Sequence, residues 1–256
     1  MFVPLDFLFE MYYQIWVPLY RDKHGYTIQR TRFRCQERLM RNSFIERDAA
    51  RILFILYFCC DDQLPLPEEH EDTYTRSIDS ESKLQKIDFW IRYPDHLAAA
   101  LLYGCEDGGP LTRRKEEIKQ IICHIFHEGE PTLRWIPMRK YLHGAYEPLD
   151  DVMIFLSSRM LAFRRMVEWG HRTRYYLTLK GCNLVESILK ECPESAWYEK
   201  RCKLIQSFFK HLKGFDLRNL QYLEENYANT PNSEVIGRIE AVVRQRFFQL
   251  YGESLP

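Results

Sequence analysis

Apolar residues recur at helical spacing over most of the chain, and the places where that spacing breaks mark its organisation. Residues 47–60 (RDAARILFILYFCC) put Ile52, Leu53, Leu56 and Tyr57 on one stripe with Ile55 and Phe58 on its flank, which predicts a buried helix. Residues 61–80 are polar and proline-bearing and read as a loop. From Ser82, the phrase SKLQKIDFWIRY sets Leu84, Ile87 and Ile91 on one face with Asp88 beside them, and Pro94 opens a further helix through His96, Leu97, Leu101 and Leu102. GCEDGGP at 104–110 is the clearest break. Thr112 is then the expected cap of a helix to about Phe126, carrying Ile118, Ile121, Ile122 and Ile125. A short helical piece is expected at 136–143 and another helix from Leu149 to about Ser158, its start marked by Pro148, Asp150 and Asp151.

The period then changes. LAFRRMVEW (161–169) and TRYYLTL (173–179) are rich in aromatic and β-branched residues, and Gly170 in the GHR between them predicts a β-hairpin. The run after Thr178, KGCNLVESILKEC, returns to helix, and helices are expected over 194–213, 215–227 and 233–251, the last capped by Ser233. Its stripe is Val235, Ile239, Val242 and Phe247 or Phe248, with Arg238, Arg244 and Arg246 outside. The expected fold class is mainly α: an N-terminal extension (1–46), a helical region (47–107), a central winged-helix domain with a two-stranded β-hairpin (112–192) and C-terminal helices (193–256). The winged-helix reading rests on the order helix, short helix, helix, hairpin, helix. In it Tyr175, Tyr176 and Leu177 pack the wing, Thr178 caps the helix that follows, and Gly181 lets that helix approach closely.

Composition narrows the function classes. The 256 residues balance 36 Lys and Arg against 36 Asp and Glu, which argues against a uniformly basic nucleic-acid binder. The zero is uneven, however: residues 1–111 hold 13 basic and 18 acidic side chains, 112–181 hold 13 and 8, and 182–256 hold 10 of each. Arg164, Arg165, His171, Arg172, Arg174 and Lys180 gather around the hairpin, where a wing would meet phosphates or an acidic partner. The helix that would enter a groove instead begins with Glu147, Asp150 and Asp151, which repel phosphate, so base reading is not expected.

The eight cysteines contain no CxxC and sit mostly in apolar stretches, as reduced core thiols of a cytoplasmic protein do. The N-terminal run MFVPLDFLFEMYYQIWVPLY is interrupted by Asp6, Glu10 and Gln14, so no membrane span is expected there. Organised sequence begins after Met40, a candidate alternative start. His124 and His127 in CHIFH lack a second ligand pair, the carboxylates of Asp61, Asp62 and EEHED read as a solvated loop, and Ser157 and Ser158 lack a nucleophile turn. With no phosphate-cradling glycine motif either, no catalytic residue, metal or cofactor is expected.

Three phrases in order, RDAARILFILYF, SKLQKIDFWIRYPDHLAAAL and YYLTLKG, resemble the middle component of bacterial three-component ABC-ATPase conflict systems, the group that includes Lamassu-like antiphage systems. LQKIDFWIRYP (84–94) is the most distinctive piece, and the likeness spans about residues 47–192. The resemblance implies a non-catalytic winged-helix adaptor that bridges an SMC-like ATPase and an effector nuclease, with nonspecific DNA contact as an accessory. The alternative is a winged-helix transcription regulator.

Overall fold

The computed structural model describes residues 31–61, 74–106, 109–127, 137–167 and 172–256, with side chains from Ile45 onward. The chain divides into two units, each assembled from two stretches: Met1–Asp79 with Pro148–Ser207, and Ser80–Glu147 with Phe208–Pro256. Where the sequence pattern draws consecutive regions, the fold interleaves them. Hydrophobic periodicity identifies elements one at a time and carries no information on which of them share a core.

In the first unit, helix α1 (Thr31–Phe58) is already under way before Met40 and extends well upstream of the helix expected at 47–60. Ile52 through Leu56 are all buried, so the helix is enclosed rather than half-exposed at this point. Strand β1 (Tyr74–Ile78) lies in the stretch read as loop. After Pro148 come α5 (Asp150–Ser158), β4 (Ala162–Val167), β5 (Arg172–Thr178), α6 (Leu179–Glu191) and α7 (Ala196–Phe209), the division between units falling at the Ser207–Phe208 step of α7.

The expected hairpin is present as β4 and β5, and β1 joins it to give a three-stranded antiparallel sheet of order β1-β5-β4. Register is set by Ile78 opposite Tyr175 and Ala162 opposite Leu177. Central β5 is buried at every position from Arg174 to Thr178, whereas edge strand β4 alternates and exposes Arg164 and Met166. Gly170 and His171, expected at the bend, lie outside the described residues, as does the apolar run of residues 1–20.

In the second unit, Ser80 accepts a hydrogen bond from Lys83 N and starts helix α2 (Glu81–Arg92). Pro94 stands at the first turn of α3 (Pro94–Gly104), as expected. Thr112 does not cap the next helix. It lies in a 3-10 turn, donating to the Gly109 carbonyl at 2.8 Å, and α4 runs from Lys115 to His127.

The short helix expected at 136–143 is instead a β-hairpin, β2 (Arg139–Tyr141) and β3 (Gly144–Tyr146). Tyr141 faces Gly144 across a two-residue loop, and Gly144 has φ +96°, a conformation glycine adopts without strain. Burial here alternates with period two, Met138 and Lys140 inside and Arg139 and Tyr141 outside, which is the pattern of a strand although Met138, Tyr141 and Leu142 have helical spacing. The helix, short helix, helix order expected before the wing is therefore not the order found.

Helices α8 (Gly214–Gln221), α9 (Glu225–Asn229) and α10 (Glu240–Tyr251) follow. Ser233 is not a cap. It has φ +70°, and the segment after it lies beside β2, with Ile236 N donating to Met138 O at 2.9 Å. Pairing to β2 thus delays the last helix from 233 to Glu240; Ile239 and Phe247 of the expected stripe are buried, whereas Val235 is exposed and Val243 is buried in place of Val242. Among the described residues no helix is long and apolar enough to cross a membrane.

Candidate functional site

The β4–β5 hairpin has an apolar layer beneath and a basic layer above. Tyr175, Tyr176 and Leu177 are buried, and the Tyr176 ring stacks on Tyr74 at 5.1 Å. Thr178 Oγ1 accepts from Gly181 N at 2.9 Å and so caps α6, while donating to the Met160 carbonyl at 2.9 Å. A Cβ at Gly181 would run into the Leu161 carbonyl oxygen, so the close approach at this glycine is real.

The basic layer is engaged internally. Arg164 pairs with Asp150 at 2.5 Å, and Arg165 donates to the Tyr74 hydroxyl at 3.2 Å. Arg172 and Arg174 both reach Asp79, at 3.2 and 3.1 Å, and Lys180 donates to the Arg159 carbonyl at 3.0 Å. His171 lies outside the described residues. Sequence reasoning places these cations around the hairpin but misses the two carboxylates among them. The pattern marks Asp150 as a helix start and a phosphate-repelling acid, not as a partner of Arg164, and Asp79 falls in a stretch that reads as loop. The available signal was TYTRSI, where Tyr74, Thr75 and Ile78 are strand formers one turn before Asp79. Asp61 also belongs to this region, its carboxylate accepting from Asp79 N at 2.9 Å.

The phrase LQKIDFWIRYPDH, the most distinctive in the chain, does its work inside the second unit. Gln85 clamps the Glu147 backbone, donating to its carbonyl at 2.6 Å and accepting from its N–H at 3.1 Å. Arg92, fully buried, pairs with Asp88 at 2.7 Å and with Glu147. The Tyr93 hydroxyl links Met138 N and Ile236 O, at 2.9 and 3.1 Å. Asp95 takes the Ile239 N–H at 2.6 Å, and His96 Nε2 lies 2.9 Å from the Gly237 carbonyl, an acceptor only, so that nitrogen carries the proton. Burial holds the His96 ring's pKa below its ordinary value, and burial likewise raises the Tyr93 phenol. One helical phrase therefore fastens three distant backbone segments by directional bonds.

Among the described residues, no three His, Cys, Asp or Glu side chains converge in a way that could hold a metal ion. The seven cysteines whose side chains are described are thiols, with Cys59, Cys105, Cys182, Cys192 and Cys202 buried. Ser157 and Ser158 donate to carbonyls one turn back in α5, as helical serines commonly do. Comparison with family models, with curated proteins and with solved structures finds no match to this chain.

Proposed function

We propose that this protein is a non-catalytic adaptor of a DNA-linked antiphage defence complex, holding an SMC-like ABC ATPase and an effector nuclease together. In this reading the first unit is a winged-helix module interrupted in sequence. Helix α1, strand β1, helix α5 and hairpin β4–β5 are its parts, and residues 80–147 intervene between its first strand and the helix before the wing.

The observation that carries the module is the sheet order β1-β5-β4, in which the distal wing strand pairs with the strand after the first helix. This moves the proposed module from the contiguous 112–192 of the sequence pattern to residues 45–79 with 148–191. The carboxylates at Asp79 and Asp150 favour an adaptor over a transcription regulator, because they neutralise the arginines a DNA-reading wing would offer. Contact with DNA is then nonspecific and secondary to protein contacts.

The test is co-purification of the full chain with an SMC-like ATPase encoded beside it, together with phage challenge of a deletion strain. Stable association and lost resistance support the adaptor. A sequence-specific footprint by the isolated protein, or no association and unchanged resistance, overturns it.

A further inference from the structure

Within the second unit, α2, the β2–β3 hairpin and α8 line an open cavity of about 530 Å³, a volume suited to a small organic molecule. Its wall carries Leu142, Tyr146 and Phe215, and Leu142 and Phe215 are 70% and 67% exposed. Large apolar side chains held that open at the mouth of a cavity form a wall without a cover.

Two cations are part of the lining: Lys86 of α2, itself only 2% exposed, and Arg218 of α8. Among the described residues, the Lys86 ammonium donates to Ala145 O at 3.0 Å, and Arg218 donates to Leu142 O at 3.4 Å and lies 5.3 Å from the Tyr222 ring. Among the described residues neither is paired with a carboxylate. A buried ammonium beside a second positive charge is costly unless an anion joins them. Burial first, and the Arg218 charge second, lower the Lys86 pKa to about 7, the expected signature of a cation lacking its counter-ion. The other titratable groups on the wall, Glu81, His143, Tyr141 and Tyr146, belong to the same two elements as Lys86 and Leu142.

We propose that this cavity binds a small organic carboxylate, its charged group held between Lys86 and Arg218 and its apolar body laid against Leu142, Tyr146 and Phe215. The site is independent of the wing and does not rest on the adaptor reading.

The experiment is isothermal titration of the full-length protein with 1-naphthoate, and with the uncharged 1-naphthamide as its isostere. One-to-one binding of the carboxylate, roughly tenfold or more tighter than the amide, is the expected result, since charge-assisted hydrogen bonds are at stake. Lys86→Met and Arg218→Gln each lose about tenfold, while thermal unfolding verifies that both variants are folded. Wild-type affinity falls as pH rises through 7 to 8, and the Lys86→Met variant lacks that fall. Equal binding of the acid and the amide, no saturation by either in folded protein, or unchanged affinity in both variants overturns the proposal.

Discussion

Asp79, one residue past the end of β1, lies 3.1 Å from the Arg174 guanidinium of central strand β5, and the same carboxylate takes Arg172 at 3.2 Å. The two arginines are unequal. The Arg174 side chain is 11% exposed and that of Arg172 is 42% exposed. Breaking a buried pair leaves an uncompensated charge, whereas an exposed pair is screened by water and salt. Arg174→Gln is expected to cost about 1–3 kcal/mol of stability and Arg172→Gln about 0.5 kcal/mol or less, both read from urea unfolding midpoints.

Neutralising the shared acid tests the β4–β5 hairpin from the other side. Asp79→Asn removes the charge that occupies Arg172 and Arg174, so retention of a short DNA duplex at low salt is expected to rise above wild type and to fall steeply with added salt. Charge reversal of the arginines is a poorer probe, because it sets new carboxylates against Asp79. Unchanged retention in a gel-shift assay would remove the β4–β5 hairpin from any DNA contact.

The hairpin, its cap and its close helix approach were legible because they are local. Thr178 sits three residues from the amide it accepts, and Tyr175 to Leu177 carry their strand propensity with them. The same holds for Pro94 at the start of α3. What escaped was non-local. Tyr74 to Ile78 become a strand only by pairing with β5 about a hundred residues on, and Arg139 to Tyr141 are held as strand by Gly144 across the turn and by Val235 from far along the chain. Ser233 looked like a helix cap because its neighbours are turn residues, but the bond that matters joins its N–H to Lys140 O at 2.6 Å. Lys86 and Arg218 both line the cavity, and no spacing rule connects those positions.

Two glycines are expected to be intolerant for different reasons. At Gly181 the backbone is helical and only space is lacking, since a Cβ would meet the Leu161 carbonyl. At Gly144 a positive φ adds strain to a clash with the Tyr227 hydroxyl. Gly181→Ala and Gly144→Ala should each cost about 2 kcal/mol or more. The Gly144 variant should also disturb the Tyr227 hydroxyl's 2.7 Å bond from Ala145 N, seen as faster amide exchange at Ala145.

His96 makes the second unit acid-sensitive. Burial lowers its pKa from the ordinary 6.5, so as pH falls through 6.5 the unfolded chain takes up a proton that the folded chain resists. The stability linked to this ring is complete above pH 6.5 and is lost progressively below it. His96→Gln can still donate to Gly237 O but does not titrate. Its stability deficit relative to wild type should therefore shrink between pH 7.5 and pH 5, measured by denaturant unfolding at each pH.

Lys86 governs the opposite side of the pH scale. Its folded pKa of about 7 lies below the ordinary 10.5, so between those values the unfolded chain binds a proton that the folded chain has released. Stability must then rise with pH across that window, reaching its full value above 10.5 and losing it as pH falls through about 7. Below pH 7 the lysine is charged in both states, and the folded protein bears the whole cost of burying it, of order ~3–5 kcal/mol. Lys86→Met fills similar volume without the charge. The variant should be more stable than wild type at pH 6, the gap should narrow toward pH 10, and the wild-type slope should be absent from it. Parallel stability profiles for the two proteins would mean that Lys86 keeps its ordinary pKa in the folded chain, and would place the ammonium in contact with water or with a carboxylate.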